Sequence, residues 1–197
     1  MKALLVCLVV ALIAAPGFAA LGWYQDYILV SSNGAADTYN WIGTDPGYGS
    51  AYTGATFNIV YGETLEFGAD MKYWSDTQDR TGGAYYWTAD GYTNNHEIIW
   101  SQSYLGGNDY QGQAATTNDI AAGLDAGTHD VIVWAKSWGS GQGDSWLNDG
   151  GANYRATLLI SKAAQTIDFP ALGDQLTTNV VALSATATSG LDVDFSV

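Results

Sequence analysis

The stretch TLEFGADMKYW, residues 64–74, decides the fold class. Its apolar side chains occupy every second position, and the positions between them are polar or glycine. The apolar set is Leu65, Phe67, Ala69, Met71 and Tyr73. A period of two places one set of side chains on a buried sheet face and the other on a solvated face. The stretch is therefore predicted to be a β-strand with one face against a core.

Similar strand signals occur along most of the chain. YRATLLI (154–160) alternates in the same way, and four other runs are rich in β-branched and aromatic residues. These are DYILVSS (26–32), GAYYWTA (83–89), EIIWSQSYL (97–105) and HDVIVWAKSW (129–138). Clusters of Gly, Asn and Asp bound each run, and only TTNDIAAGL (116–124) has room for a helical turn. Many short strands without intervening helices predict an all-β fold over residues 20–162, a β-sandwich of jelly-roll or immunoglobulin-like type.

The first twenty residues, MKALLVCLVVALIAAPGFAA, have the organisation of a secretory signal. Lys2 gives a positive start, residues 3–15 are apolar, and Pro16 and Gly17 precede small residues at a cleavage point after Ala19. The apolar run is shorter than the about 20 residues that span a bilayer. Residues 1–19 are therefore predicted to be a removed signal peptide of a secreted or cell-surface protein, with no membrane span in the rest.

Cysteine content and charge exclude several classes of function. The single cysteine, Cys7, lies inside the signal, so the mature chain has no disulfide and no thiolate metal site. The formal net charge is -14, and removal of Lys2 makes the mature chain more negative by one. Such a chain repels phosphate backbones and anionic membrane surfaces, so nucleic acid is not an expected partner.

The sequence shows no convincing catalytic motif. GDSW (143–146) resembles the start of an esterase motif, but both histidines, His96 and His129, precede Ser145, and no helix is predicted after it. Glycoside hydrolysis needs two facing carboxylates. The glutamates are Glu63, Glu66 and Glu97. Nothing in their spacing pairs them, so the protein is predicted not to be an enzyme.

Oxygen-rich turns raise the question of a metal ion. Asp76 and Asp79, and further along Asp144, Asn148 and Asp149, supply oxygens of the kind that calcium prefers. Neither group has the spacing of a calcium-loop motif, and turn-forming aspartates in water are the favoured explanation. His96 and His129 form only a weak zinc signal. No cofactor is predicted, and a structural calcium ion stays open as an alternative.

Aromatic residues give the positive indication of function. The chain has 8 tryptophans and 13 tyrosines, more than one small core needs. Sugar-binding sandwiches stack aromatic rings on pyranose rings and add hydrogen bonds at the edges. The segment SWGSGQGDSWLNDGG (137–151) is predicted to be a long hairpin-type connection that carries such groups. Its candidate ligand-binding residues are Trp138, Asp144, Trp146, Asn148 and Asp149.

The alternative for these tryptophans is packing. Ile132, Trp134, Lys136 and Trp138 should share one face of their strand, where Trp134 is predicted to belong to the core. Trp146 could instead fold back as a lid over the core. Joint solvent exposure of Trp138 and Trp146 would favour a binding surface, and their burial would favour a structural domain.

The composition changes at Ala163, where aromatics become scarce. QTIDFPALGDQ (165–175) and LSATATSGLDVDFSV (183–197) together resemble the start of the immunoglobulin-like repeats found in tandem in large bacterial surface and secreted proteins. The matching residues are Gln165, Thr166, Ile167, Phe169, Pro170, Leu183, Ala185, Ala187, Ser189, Gly190, Leu191, Val193 and Phe195. Such modules need about 80 to 100 residues. The resemblance implies that residues 163–197 are an incomplete repeat and that the chain begins a longer protein.

The segment GDSWLNDGGANYRATLLISK (143–162) resembles the end of an aromatic-rich sandwich domain that precedes such repeats, which supports the architecture only. Two hypotheses of function follow. The first is a non-enzymatic structural or adhesive head of a larger bacterial surface protein, with glycans or other surface proteins as partners. The second is a carbohydrate-binding module that uses exposed aromatics, and a jelly-roll glycoside hydrolase is a distant third.

Overall fold

The computed structural model describes residues 21–43, 49–77, 79–91, 95–141, 143–176, 178, 180–188 and 193–195. The predicted signal peptide, residues 1–19, lies outside them. Within the described residues the chain forms strands and one 3₁₀ turn at Asp149–Gly151. The strands are β1 (Leu21–Ser32), β2 (Thr38–Ile42), β3 (Ser50–Ala51), β4 (Thr56–Val60), β5 (Leu65–Ser75), β6 (Arg80–Ala89), β7 (His96–Ile99), β8 (Ser101–Gly106), β9 (Asp109–Asp119), β10 (Gly127–Gly139), β11 (Ser145–Leu147), β12 (Tyr154–Ser161), β13 (Ile167–Asp168) and β14 (Thr186–Ala187).

The first twelve strands form two sheets that pack face to face. The first sheet has the order β3-β2-β1-β5-β9-β8, and the second has the order β4-β12-β10-β6-β7 with β11 beside the later part of β10. The pairs β2–β3 and β4–β12 are parallel, and the other pairings between these strands are antiparallel. The prediction of an all-β sandwich is confirmed.

The alternation in β5 and β12 produces the core directly. All five apolar residues of β5 that share a face are buried between the sheets, and so are their counterparts Tyr154, Ala156, Leu158 and Ile160 in β12. Each intervening side chain of these strands is at least partly solvated, apart from Gly68 of β5. Burial of apolar area at about 25 cal/mol per Å² is the main force that holds the two sheets together.

Two buried tyrosines add hydrogen bonds between the sheets. The hydroxyl of Tyr85, in β6, donates to the carbonyl of Phe67, in β5, at 3.0 Å. The hydroxyl of Tyr52, which follows β3, donates to the carbonyl of Val131, in β10, at 3.4 Å. Burial raises the pKa of both hydroxyls above the ordinary value, so both stay protonated and able to donate.

The run EIIWSQSYL is not one strand, because the chain changes sheets at Trp100. Residues before it form β7 in the second sheet, and residues after it form β8 in the first. The indole of Trp100 is buried between Gly83 of β6 and Gly112 of β9, one from each sheet. A methyl group at either glycine would lie less than 3.0 Å from atoms of the ring. The bulk of this side chain between the two sheets accounts for the break.

Residues 163–195, where described, carry little regular structure. Their two strands, β13 and β14, pair with each other over two residues each. Their apolar side chains stay largely exposed, most of all Leu176 at 73% and Val180 at 100%. Three residues of the matched repeat pattern, Ser189, Gly190 and Leu191, lie outside the described residues. A two-stranded pair of this size buries too little apolar area to be stable alone.

Trypsin is therefore expected to cut the chain first after Lys162. This residue is exposed and follows the last strand of the sandwich, whereas the other Lys and Arg residues of the described part of the chain lie within strands. Those residues are Lys72, Arg80, Lys136 and Arg155. Mass spectrometry of a digestion time course should show early accumulation of a fragment that ends at Lys162. Lys162→Gln is the matched control, and early cleavage at Arg155 would contradict the expectation.

Candidate functional site

Strand β10 separates its side chains as the sequence predicts. Val131, Val133 and Ala135 point into the core between the sheets. The alternate residues therefore lie on the outer side of the second sheet, and these are Ile132, Trp134, Lys136 and Trp138. The outer side of this strand is thus as rich in large side chains as the inner side.

Trp134 is buried, but on the outer side of the sheet and not in the core between sheets. The register of β6 and β10 places Tyr86 directly opposite it. The two rings are parallel to within 4° with their centres 5.5 Å apart. Trp134 is only 8% exposed, so its aromatic surface is already used in contacts with its neighbours.

Trp146 does not lie in an irregular connection, which corrects the sequence prediction for residues 137–151. It is the middle residue of β11, which pairs with β10 so that Trp146 stands opposite Lys136. The flanking residues are directed inward, since Ser145 Oγ accepts a hydrogen bond from Trp23 Nε1 at 2.9 Å and Leu147 packs against the core. Alternation then leaves Trp146 on the outer side, 48% exposed.

Lys136 links the two tryptophans of the predicted site. Its ammonium nitrogen lies 5.4 Å from the ring centre of Trp138 and 5.1 Å from that of Trp146. The same nitrogen is 3.4 Å from a carboxylate oxygen of Asp144. Cation–π attraction and this ion pair hold Lys136 between the rings. We call the surface formed by Tyr86, Trp134, Lys136, Trp138, Asp144 and Trp146 the aromatic face.

Two neighbours orient the rings of the aromatic face. A methyl group at Gly82 would lie 2.8 Å from Nε1 of Trp138, so the indole of Trp138 lies over the backbone of the adjacent strand. The Tyr86 hydroxyl donates a hydrogen bond to the carboxylate of Glu97 in β7. Burial and this carboxylate raise the pKa of Tyr86 well above its ordinary value. The tyrosine therefore remains a fixed neutral donor at the rim.

Asn148 and Asp149, the other two predicted ligand-binding residues, build a turn. The carbonyl of Asn148 accepts hydrogen bonds from the amides of Gly151 at 2.9 Å and Asn153 at 2.8 Å. Asp149 has a positive φ of 48°, which aspartate tolerates better than most residues. The structure thus brings Trp138, Asp144 and Trp146 together and assigns Asn148 and Asp149 to the connection with β12. Tyr86 and Glu97 join the site only through strand register, which no local pattern reveals.

Two of the remaining candidate carboxylates, Glu63 and Asp79, have structural partners. Glu63 accepts a hydrogen bond from the amide of Val60 at 2.7 Å. Glu66 lies in β5, where the strand register places it opposite Asp119 of β9. The carboxylate of Asp79 accepts hydrogen bonds from Ser75, Thr77 and the amide of Gly141. In the part of the chain that the structure describes, no three His, Cys, Asp or Glu side chains cluster as a metal site would require.

The two histidines are engaged separately. The ring of His96 stacks on Trp87, with centres 4.0 Å apart. His129 lies between two acceptors, with Nδ1 2.6 Å from a carboxylate oxygen of Asp90 and Nε2 2.8 Å from the carbonyl oxygen of Asp125. Only the imidazolium can donate to both at once. The hydrogen bond to Asp90 is the main cause that raises the pKa of His129 above 6.5.

This arrangement makes stability depend on pH. A raised pKa in the folded state means that the stabilisation from His129 is fully present below pH 6.5 and is lost as pH rises through the folded-state value. The melting temperature should therefore fall by a few degrees on the alkaline side in a series between about pH 5 and pH 9. His129→Gln should flatten this dependence of the melting temperature on pH. An unchanged slope in His129→Gln would contradict the assignment.

Comparison of the chain with known protein families, with curated proteins and with solved structures finds no match. No helix within the described ranges is long and apolar enough to cross a membrane.

Proposed function

We propose that residues 20–162 form a non-enzymatic adhesive head of a secreted or cell-surface protein, and that the aromatic face binds carbohydrate. One observation carries the proposal. Trp146 is half exposed on the outer side of the second sheet, and Lys136, which is paired with Asp144, lies over both its ring and that of the partly exposed Trp138. Exposure of both tryptophans, partial for Trp138, is what separates a binding surface from a purely structural domain.

The chemistry of this surface suits sugars. The C–H faces of a pyranose ring pack against an indole, which offers a large apolar area at low entropic cost. Lys136 supplies hydrogen-bond donors and Asp144 supplies acceptors directly beside the rings. A few oriented polar groups around aromatic surface are the usual composition of a small-molecule site.

Packing alone does not account for Trp146. Its neighbours in β11, Ser145 and Leu147, already anchor the strand to the core and to Trp23. The side chain points away from the core, and the residue is 48% exposed. Large exposed aromatics that cluster on one surface indicate recognition more often than stability. The adhesive role in a larger surface protein rests on the resemblance of residues 163–197 to immunoglobulin-like repeats.

A glycan array with the full mature chain tests the proposal. We expect binding to a subset of carbohydrates, accompanied by quenching of tryptophan fluorescence in solution. Capture of proteins but no carbohydrate by the wild-type chain would overturn the sugar-binding part and favour adhesion to a surface protein.

A further inference from the structure

We infer that the aromatic face selects an uncharged carbohydrate chain, and that Lys136 and Asp144 act as a paired donor and acceptor for sugar hydroxyls. This inference rests on the proposed function and specifies its ligand class. It follows from the arrangement of charges around Trp146 and the partly exposed Trp138.

Anionic sugars are disfavoured by the carboxylates of the site. Asp144 lies on one side of Lys136 and neutralises it, and Glu97 stands beside Tyr86 at another part of the rim. Two further arginines of the same sheet are also paired with carboxylates, Arg80 with Asp79 at 3.6 Å and Arg155 with Asp130 at 2.6 Å. The whole chain carries a formal net charge of -14. Uronic acid or sulfate groups would therefore meet repulsion, and Lys136, the cation of the aromatic face, is already paired with Asp144.

Cationic sugars are disfavoured by Lys136 itself. Its ammonium group already lies within 5.4 Å of both ring centres and takes the cation–π attraction that they offer. A second ammonium group over either ring would stand beside Lys136 and be repelled by it. An uncharged sugar avoids both penalties, because it makes stacking contacts and leaves the ion pair intact.

The ion pair matches the hydrogen bonding of neighbouring hydroxyl groups. One hydroxyl can accept from the Lys136 ammonium while the next donates to the Asp144 carboxylate, since the two groups are 3.4 Å apart. Both ring centres lie close to the single Lys136 nitrogen, so a saccharide of only a few units covers the whole face. Affinity is therefore expected to rise with chain length and then level off after a few units.

The experiment compares three soluble polysaccharides of different charge. The probes are a neutral xylan or cello-oligosaccharide, a polygalacturonate and a chitosan oligomer, with binding to the full mature chain measured by calorimetry at physiological salt. We expect the neutral chain to bind at least about tenfold more tightly than either charged one. Asp144→Asn should raise affinity for the polygalacturonate several-fold, because it releases the charge of Lys136.

Variants of Lys136 separate hydrogen bonding from charge. Lys136→Met should weaken binding of the neutral chain about tenfold, and Lys136→Gln, which keeps a donor, should recover most of that loss. Lys162→Gln removes an equal charge outside the aromatic face and is the control. Preferred binding of the anionic or cationic probe, lost in Trp146→Ala, would overturn the inference and leave the proposed function standing. Failure of all three probes, together with an empty glycan array, would overturn both.

Discussion

Gly112→Ala is expected to destabilise the sandwich by about 3 kcal/mol, which would lower its melting temperature by roughly 10 °C. The added methyl group would lie less than 3.0 Å from the indole ring of Trp100. The ring cannot retreat, because Gly83 of the opposite sheet contacts it on the other side. It also packs against Trp23 and Tyr73, with ring centres 6.2 Å and 5.8 Å away. The expected cost is large because both sheets would have to move apart.

A matched variant and a double mutant make this expectation specific. Gly127 lies in β10 with a similar strand backbone, and a methyl group there would meet only His129 at an ordinary 3.7 Å. Gly127→Ala should therefore change stability little. Trp100→Ala is costly by itself, at about 3 to 5 kcal/mol, but should make a following Gly112→Ala nearly harmless. Equal losses for Gly112→Ala and Gly127→Ala in thermal or urea unfolding would disprove the role of Trp100.

Trp146→Ala is expected to weaken carbohydrate binding about 30-fold, the effect of losing about 2 kcal/mol of stacking. It should barely change the melting temperature, because the side chain is half exposed and its strand is anchored by Ser145 and Leu147. Trp134→Ala should show the reverse pattern. Its ring is buried against Tyr86, so its loss should lower stability more and ligand affinity less.

Leu159→Ala provides the control for this comparison. Leu159 is an exposed apolar residue of β12 in the same sheet, where it pairs with Thr128 and not with a residue of the aromatic face. Binding titrations by tryptophan fluorescence and melting curves should be recorded for all three variants. If Trp146→Ala unfolds the chain as readily as Trp134→Ala does, Trp146 serves packing and the proposed site fails.

Much of the fold can be predicted from sequence patterns that extend over only a few residues. The period of two in β5 and β12 identifies both the strands and their buried faces, because each residue in an extended chain points opposite to its neighbours. The same rule separates Val133 from Trp134 in β10. The clusters of Gly, Asn and Asp mark the turns between strands, since these residues adopt turn conformations at little cost. All of these signals lie within a few residues of one another.

Only part of the candidate site could be predicted from the sequence, because local patterns relate only residues that are close together in the chain. Trp138 and Lys136 share a face within one strand, so alternation alone brings them together. Trp146 joins them because β11 pairs with β10, and that pairing is anchored by a hydrogen bond between residues 122 positions apart, Trp23 and Ser145. Asn148 and Asp149 are residue types that are also common in binding loops, but in this protein they form a local turn.

The amino-acid sequence by itself determined the regularly alternating strands such as β5 and β12, the buried faces of those strands and the all-β class, because those properties depend on neighbouring residues. Tertiary structure decided which strands are partners, that Trp100 takes the chain from one sheet to the other, and that Tyr86, Trp138 and Trp146 share one surface. These outcomes depend on how side chains distant in sequence fill the space between two sheets. A steric fit of this kind, such as Trp100 between Gly83 and Gly112, leaves no periodic trace in the sequence.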